Sequence, residues 1–141
     1  MDYLQTADDL TVISTDEQRR AERFFQDVHR KRYLAARVAL RRLLSTKTGQ
    51  SAGALTFSFG HSGKPFLMEY PHCHFNLSHS DGVALIAVSS NYEVGVDIEV
   101  VSDRGNPGEI AMHHLSENEL SHWSTLSDHV RHDAGYRLWT C

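Results

Sequence analysis

The chain has 141 residues, 40% of them hydrophobic and 23% charged, with a formal net charge of −4. This is the length and make-up of one globular domain with a single core, and it excludes a disordered segment. The acidic balance speaks against a nucleic-acid surface, no apolar run reaches membrane-spanning length, and the opening "MDYLQTADDL" lacks a signal-peptide core.

Residues 14–49, "STDEQRRAERFFQDVHRKRYLAARVALRRLLSTKTG", are expected to be helical. Ser14 or Thr15 can cap the start, acidic residues fill the first turn and Gly49 lies just past the end. Apolar residues recur at Ala21, Phe24, Phe25 and Val28, then at Ala35, Ala36, Ala39, Leu40, Leu43 and Leu44, a helical spacing. The basic run "HRKR" at 29–32 interrupts it, giving either two helices or one with a basic collar.

After Gly49 the period becomes that of strands. "LTFSF", "KPFLM", "HFNLS", "VALIAVS" and "YEVGVDIEVV" are separated by Gly, Pro, Asn or Asp, with "SSNY" as a hairpin turn before the last. "SDRGNPG" is a loop, "EIAMHHLSENELSHWSTL" is helical, and "DAGYRLWTC" begins a further helical pattern that stops at Cys141. An apolar face that has only begun reads as a fragment of a longer chain.

In "EVGVDIEVV", Val94, Val96, Ile98 and Val100 share one strand face, and Gly95, Asp97 and Glu99 share the other. The two acids then stand roughly 7 Å apart at their α-carbons. Like charges this close need a cation between them, and Mg²⁺ takes one or two carboxylates together with phosphates and water. A solvated acidic edge is the alternative for such a D-x-E pair. Two cysteines, Cys73 and Cys141, make no disulfide framework, which points to a reducing cytoplasm. The ten histidines invite a zinc reading, but "HCH" at 72–74 and the pair His113–His114 match no usual ligand spacing. Singly, Lys64 in "GKP" is a turn lysine, Arg20 and Arg32 are solvated helix residues, and His79 is a hydrogen-bonded strand-end histidine. Together with the acids they provide a metal site and cations for phosphates.

The order of a basic helix, "GKP", "FNLSHS", "GVDIE" and "LWT" resembles the 4'-phosphopantetheinyl transferase family of the surfactin-synthetase-activating type, over roughly residues 14–141. The resemblance implies an α+β fold of two similar halves. Residues 1–101 would form the first, with a mostly antiparallel sheet, and residues 102–141 the first helices of the second. It implies an enzyme of the holo-acyl-carrier-protein synthase type, monomeric in its full-length form. This enzyme would move the phosphopantetheine arm of coenzyme A onto a serine of an acyl or peptidyl carrier protein. By the same resemblance Asp97 and Glu99 are catalytic acids that hold Mg²⁺, and His79, with Ser78 beside it, meets the pyrophosphate. Lys64 lies near the adenine and phosphates, and Arg20 and Arg32 meet the 3'-phosphate. Glu17 stands where the family often has a cation. The Lys-Glu pair that follows "LWT" in the family, whose glutamate is a third metal ligand and base, is not within the 141 residues. The alternative implied is a fragment that binds coenzyme A without turnover.

Overall fold

The computed structural model describes residues 7–102 and 107–140. Helices run at Ala7–Thr11 (α1), Thr15–Ala21 (α2) and Asp27–Thr48 (α3). Strands follow at Phe57–Phe59 (β1), Pro65–Leu67 (β2), His74–Ser80 (β3) and Val83–Ser89 (β4). Helices Pro107–His114 (α4), Glu117–Thr125 (α5) and Asp128–Trp139 (α6) complete the described chain. The fold is α+β, with two-stranded sheets β1–β2 and β3–β4. The chain divides into two compact units, residues 1–78 with 84–96, and residues 79–83 with 97–141.

Ser14 caps α2 in a reciprocal capping box with Glu17, satisfying amides that the first helical turn leaves open. The helical region is two helices, but the break falls at residues 22–26 rather than at the basic run. Arg30 and Lys31 lie inside α3, where both pair with Asp27 of its first turn, Lys31 at 2.8 Å. Spacings of three and four residues put these charges on one helix face, so Asp27 offsets part of the charge of the basic run. Phe24, in the connection, instead packs its ring 5.4 Å from that of Tyr33.

Two buried faces of α3 organise the first unit. Leu34 and Val38 pack with Ile13 of the α1–α2 connection and Ala21 of α2, while Leu40 and Leu44 pack with Leu55, Leu67 and Phe75. Asp9 ties α1 to α3 through Arg42 at 2.7 Å. Gly49 ends α3 in the left-handed conformation, φ 74°, and its amide returns to the Ser45 carbonyl. A methyl group there would touch nothing, so Gly49→Ala should cost about 1–2 kcal/mol through backbone strain alone. That loss is readable as a lower urea midpoint at unchanged m-value.

β1 and β2 pair antiparallel with Phe57 opposite Leu67 and Phe59 opposite Pro65. β3 and β4 are joined by Asp81–Gly82, with Asp81 at φ 50°, and two residues suffice only for an antiparallel hairpin. The expected fifth strand, "YEVGVDIEVV", is not one: residues 93–102 are assigned to neither sheet. "SSNY" is therefore a bend and not a hairpin turn. In the second unit α4 packs on α6. The single helix expected over 109–126 is broken at Leu115–Ser116, where Ser116 and Glu119 make a second capping box. No helix among the described residues is long and apolar enough to cross a membrane.

Candidate functional site

The acid-bearing segment is held by side chains where a strand would be held by backbone. Asn76 Oδ1 of β3 accepts the Val96 amide at 2.9 Å. Ser80 Oγ accepts the Val100 amide at 3.1 Å and donates to Glu99 Oε1 at 2.7 Å. Acceptors four residues apart on β3 thus meet amides four residues apart on the segment. Asn76 and Ser80 are polar because they replace a missing ladder and keep these amides paired. Ser80 spends both its donor and an acceptor site, and so fixes one oxygen of the half-buried Glu99. Asp97 is exposed, and its Oδ1 accepts the Ile98 amide at 2.9 Å.

Ser78 and His79, expected side by side on one ligand group, fall on opposite faces of β3 by strand alternation. Phe75 and Leu77, on the parity of His79, face the core of the first unit. His79 itself is exposed.

Lys64 ends the loop 60–64 between β1 and β2. Gly60 donates its amide to the Lys64 carbonyl at 2.9 Å, and Gly63, at φ 77°, supplies the left-handed turn. The Lys64 ammonium donates to the Val94 carbonyl at 2.9 Å and lies 3.8 Å from the exposed Glu93. Lys64 and Glu93 line a cavity of about 390 Å³ together with Phe66, Tyr70, Cys73 and Phe75. That volume lies within the roughly 300–1,000 Å³ of small-molecule sites. Burial pushes the Cys73 thiol up, with Lys47 opposing, so the thiol stays protonated near neutral pH.

Arg20 is exposed on α2, its guanidinium 5.7 Å from the Tyr33 ring centre, and Arg32 is half-buried on α3. Glu17, which stands where the family often has a cation, is buried with two arginines, Arg37 and Arg41, that the sequence did not single out. It pairs with Arg37 and, at 2.7 Å, with Arg41. Arg41, only 1% exposed, also donates to the carbonyls of Ala52 at 2.8 Å and Leu55 at 3.0 Å. Both guanidinium groups lie over the Phe57 ring, at 4.5 and 4.9 Å from its centre. Glu17 therefore neutralises cations of α3 at the place where a ligand-facing cation was expected. The only sequence signal was Arg37 and Arg41 four residues apart on one helical stripe, which is also the pattern of a solvated face.

Among the described residues no three His, Cys, Asp or Glu groups are placed to hold a metal together, and this includes the two histidine clusters. The donor set at Asp97 and Glu99 is hard oxygen from two carboxylates, which suits Mg²⁺ completed by phosphate and water.

The 4'-phosphopantetheinyl transferase N-terminal family matches residues 4–91, and the chain belongs to that family. It is 32% identical to the 4'-phosphopantetheinyl transferase HetI of Nostoc sp. over 140 residues, 97% of this chain and 59% of HetI. It is 28% identical to the 4'-phosphopantetheinyl transferase Sfp of Bacillus subtilis over 131 residues, 93% of this chain and 57% of Sfp. To AcpT of Salmonella typhimurium, also a 4'-phosphopantetheinyl transferase, it is 33% identical over 115 residues, 82% of this chain and 56% of AcpT. The chain thus spans little more than half the length of these relatives.

Proposed function

We propose that this chain forms the coenzyme-binding part of a Mg²⁺-dependent enzyme that transfers the phosphopantetheine arm of coenzyme A to a serine of an acyl or peptidyl carrier protein. In this reading it is of the holo-acyl-carrier-protein synthase type, works in the cytoplasm as a monomer, and residues 102–141 begin its second half. What supports the reading is family membership together with one feature of the fold. Asn76 and Ser80 of β3 hold the backbone on either side of Asp97 and Glu99 and one oxygen of Glu99, which fixes where those acids stand.

The carrier serine oxygen would form a bond to the phosphorus bearing pantetheine. The bond from that phosphorus to the bridging oxygen would break, releasing adenosine 3',5'-bisphosphate, and the serine proton would pass to a base. Asp97 and Glu99 would hold Mg²⁺, which neutralises charge on the pyrophosphate and the departing phosphate. Lys64 would add a donor to the pyrophosphate, with Ser78 on the β3 face of Asn76 and Ser80, and His79 would meet the ligand from the opposite face of that strand. Phosphoryl transfer is catalysed chiefly by such positioning and electrostatics. Arg20 and Arg32 would take the 3'-phosphate.

The direct test is incubation with coenzyme A, Mg²⁺ and an apo carrier protein, with mass spectrometry of the carrier. A carrier that gains the phosphopantetheine mass supports transfer. Coenzyme A bound by calorimetry but never transferred supports the binding-only reading, and absence of binding removes both. In the same titration Lys64→Ala and His79→Ala should each weaken coenzyme A by about 1.5–3 kcal/mol, the worth of a charge-assisted contact. Arg32→Ala should chiefly lower the preference for coenzyme A over its 3'-dephospho form. An unaltered preference would take Arg32 out of the site.

A further inference from the structure

The second unit contains a clamp on the acid-bearing segment that the transfer chemistry does not itself require. Tyr136 of α6 is 6% exposed. Its hydroxyl donates to the Ser102 carbonyl at 3.0 Å and accepts the Ser102 amide at 3.1 Å, with Ser102 Oγ at 3.4 Å. One phenol thereby grips both backbone groups of a single residue, three positions after Glu99. The same carbonyl lies 3.1 Å from His132 Nε2, which donates to it when that nitrogen carries the proton.

The phenol is itself held in place. His132 meets the Tyr136 ring edge-on at 5.1 Å between centres, and Trp139 stacks on it at 6.3 Å with planes 7° apart. Residues 132, 136 and 139 are spaced by four and three, so they share one face of α6. Ser80 fixes the segment at Glu99 and Val100, and Tyr136 fixes it at Ser102. The acids are thus bracketed on their C-terminal side by two independent anchors.

We infer that Tyr136 is a positioning residue: through Ser102 it sets the backbone on which Asp97 and Glu99 present their carboxylates to a divalent cation. Trp139 of the "LWT" stretch acts through it, as the wall that orients the phenol. This inference rests on the metal-binding part of the proposed function. Groups that orient metal ligands without touching the metal typically carry 10–100-fold in affinity. A clamp two hydrogen bonds removed belongs at the lower end.

The test uses the 141-residue chain and Mn²⁺ as probe, with free Mn²⁺ followed by electron paramagnetic resonance well below the thermal midpoint. Tyr136→Phe keeps the ring and removes only the hydroxyl. It should weaken Mn²⁺ about tenfold and speed amide exchange at Ile98 and Val100 as well as at Ser102. His132→Ala, which removes the weaker hold on the same carbonyl, should move both readouts the same way by less. A lower melting temperature with wild-type Mn²⁺ affinity in both variants would reduce Tyr136 to a structural residue and overturn the inference. Faster exchange confined to Ser102 would overturn it too. A wild-type chain that binds no Mn²⁺ overturns the metal site of the proposed function and this inference with it, whereas loss only in the variants separates the two.

Discussion

Glu17→Ala should cost about 3–5 kcal/mol of stability, because it strands the buried Arg41 and the nearby Arg37 without their shared counter-ion. Arg41 cannot turn to water, since two backbone carbonyls and the Phe57 ring already fix it. Thermal or urea unfolding of the purified chain measures the loss, and a change below about 1 kcal/mol would mean that the pair contributes nothing net. The same group sets a pH dependence. Burial alone would raise the Glu17 carboxyl, but Arg37, the Ser14 amide and Arg41 outweigh it and leave the group below its ordinary 4.5. A carboxyl depressed in the folded state adds stability that is complete above its unfolded value and is lost as pH falls through the folded one. The wild type should therefore lose stability in the window below about pH 4.5, and Glu17→Ala should lose less over that window.

Asp97→Ala should lower transfer of the phosphopantetheine arm by about two orders of magnitude, the scale of losing one preorganised charge partner in a transition state. Asp97 is exposed, so the folded stability should change far less than activity. Glu99→Ala should lower transfer similarly but also release the Ser80 hydroxyl from its partner at 2.7 Å, with a modest stability cost. Initial rates of carrier modification at saturating Mg²⁺ measure both. An Asp97→Ala protein as fast as the wild type would remove that carboxylate from the chemistry.

Local rules made much of this fold legible. The Ser14 cap and the Gly49 stop act within one turn of the residues they join, and the strand read in "VALIAVS" matches Val83–Ser89 at both ends. Where the structure departs, the cause lies at a distance. "YEVGVDIEVV" has an ideal period of two, but the described residues of this segment join no sheet, and its Val96 and Val100 amides are taken by the side chains of Asn76 and Ser80. Periodicity cannot register which atoms of a neighbour will accept a hydrogen bond. Glu17 finds its partners 20 and 24 positions away, beyond any helical spacing, which is why it looked like an acid in a cationic place. The break at Leu115–Ser116 was legible in "SENE", a capping-box pattern inside an otherwise helical run. Tyr136 carried no signal, because its partner Ser102 is 34 residues earlier.

The chain has two tryptophans, Trp123 on α5 and Trp139 on α6, and both belong to the second unit. Intrinsic fluorescence excited at the red edge therefore reports on that unit alone, while far-ultraviolet dichroism reports on the helices of both units, α1–α3 of 5, 7 and 22 residues and α4–α6 of 8, 9 and 12. A urea titration followed by both signals compares the second unit with the two units together, without any label. Coincident midpoints would make the chain one cooperative body, and separated midpoints would assign a stability to each unit.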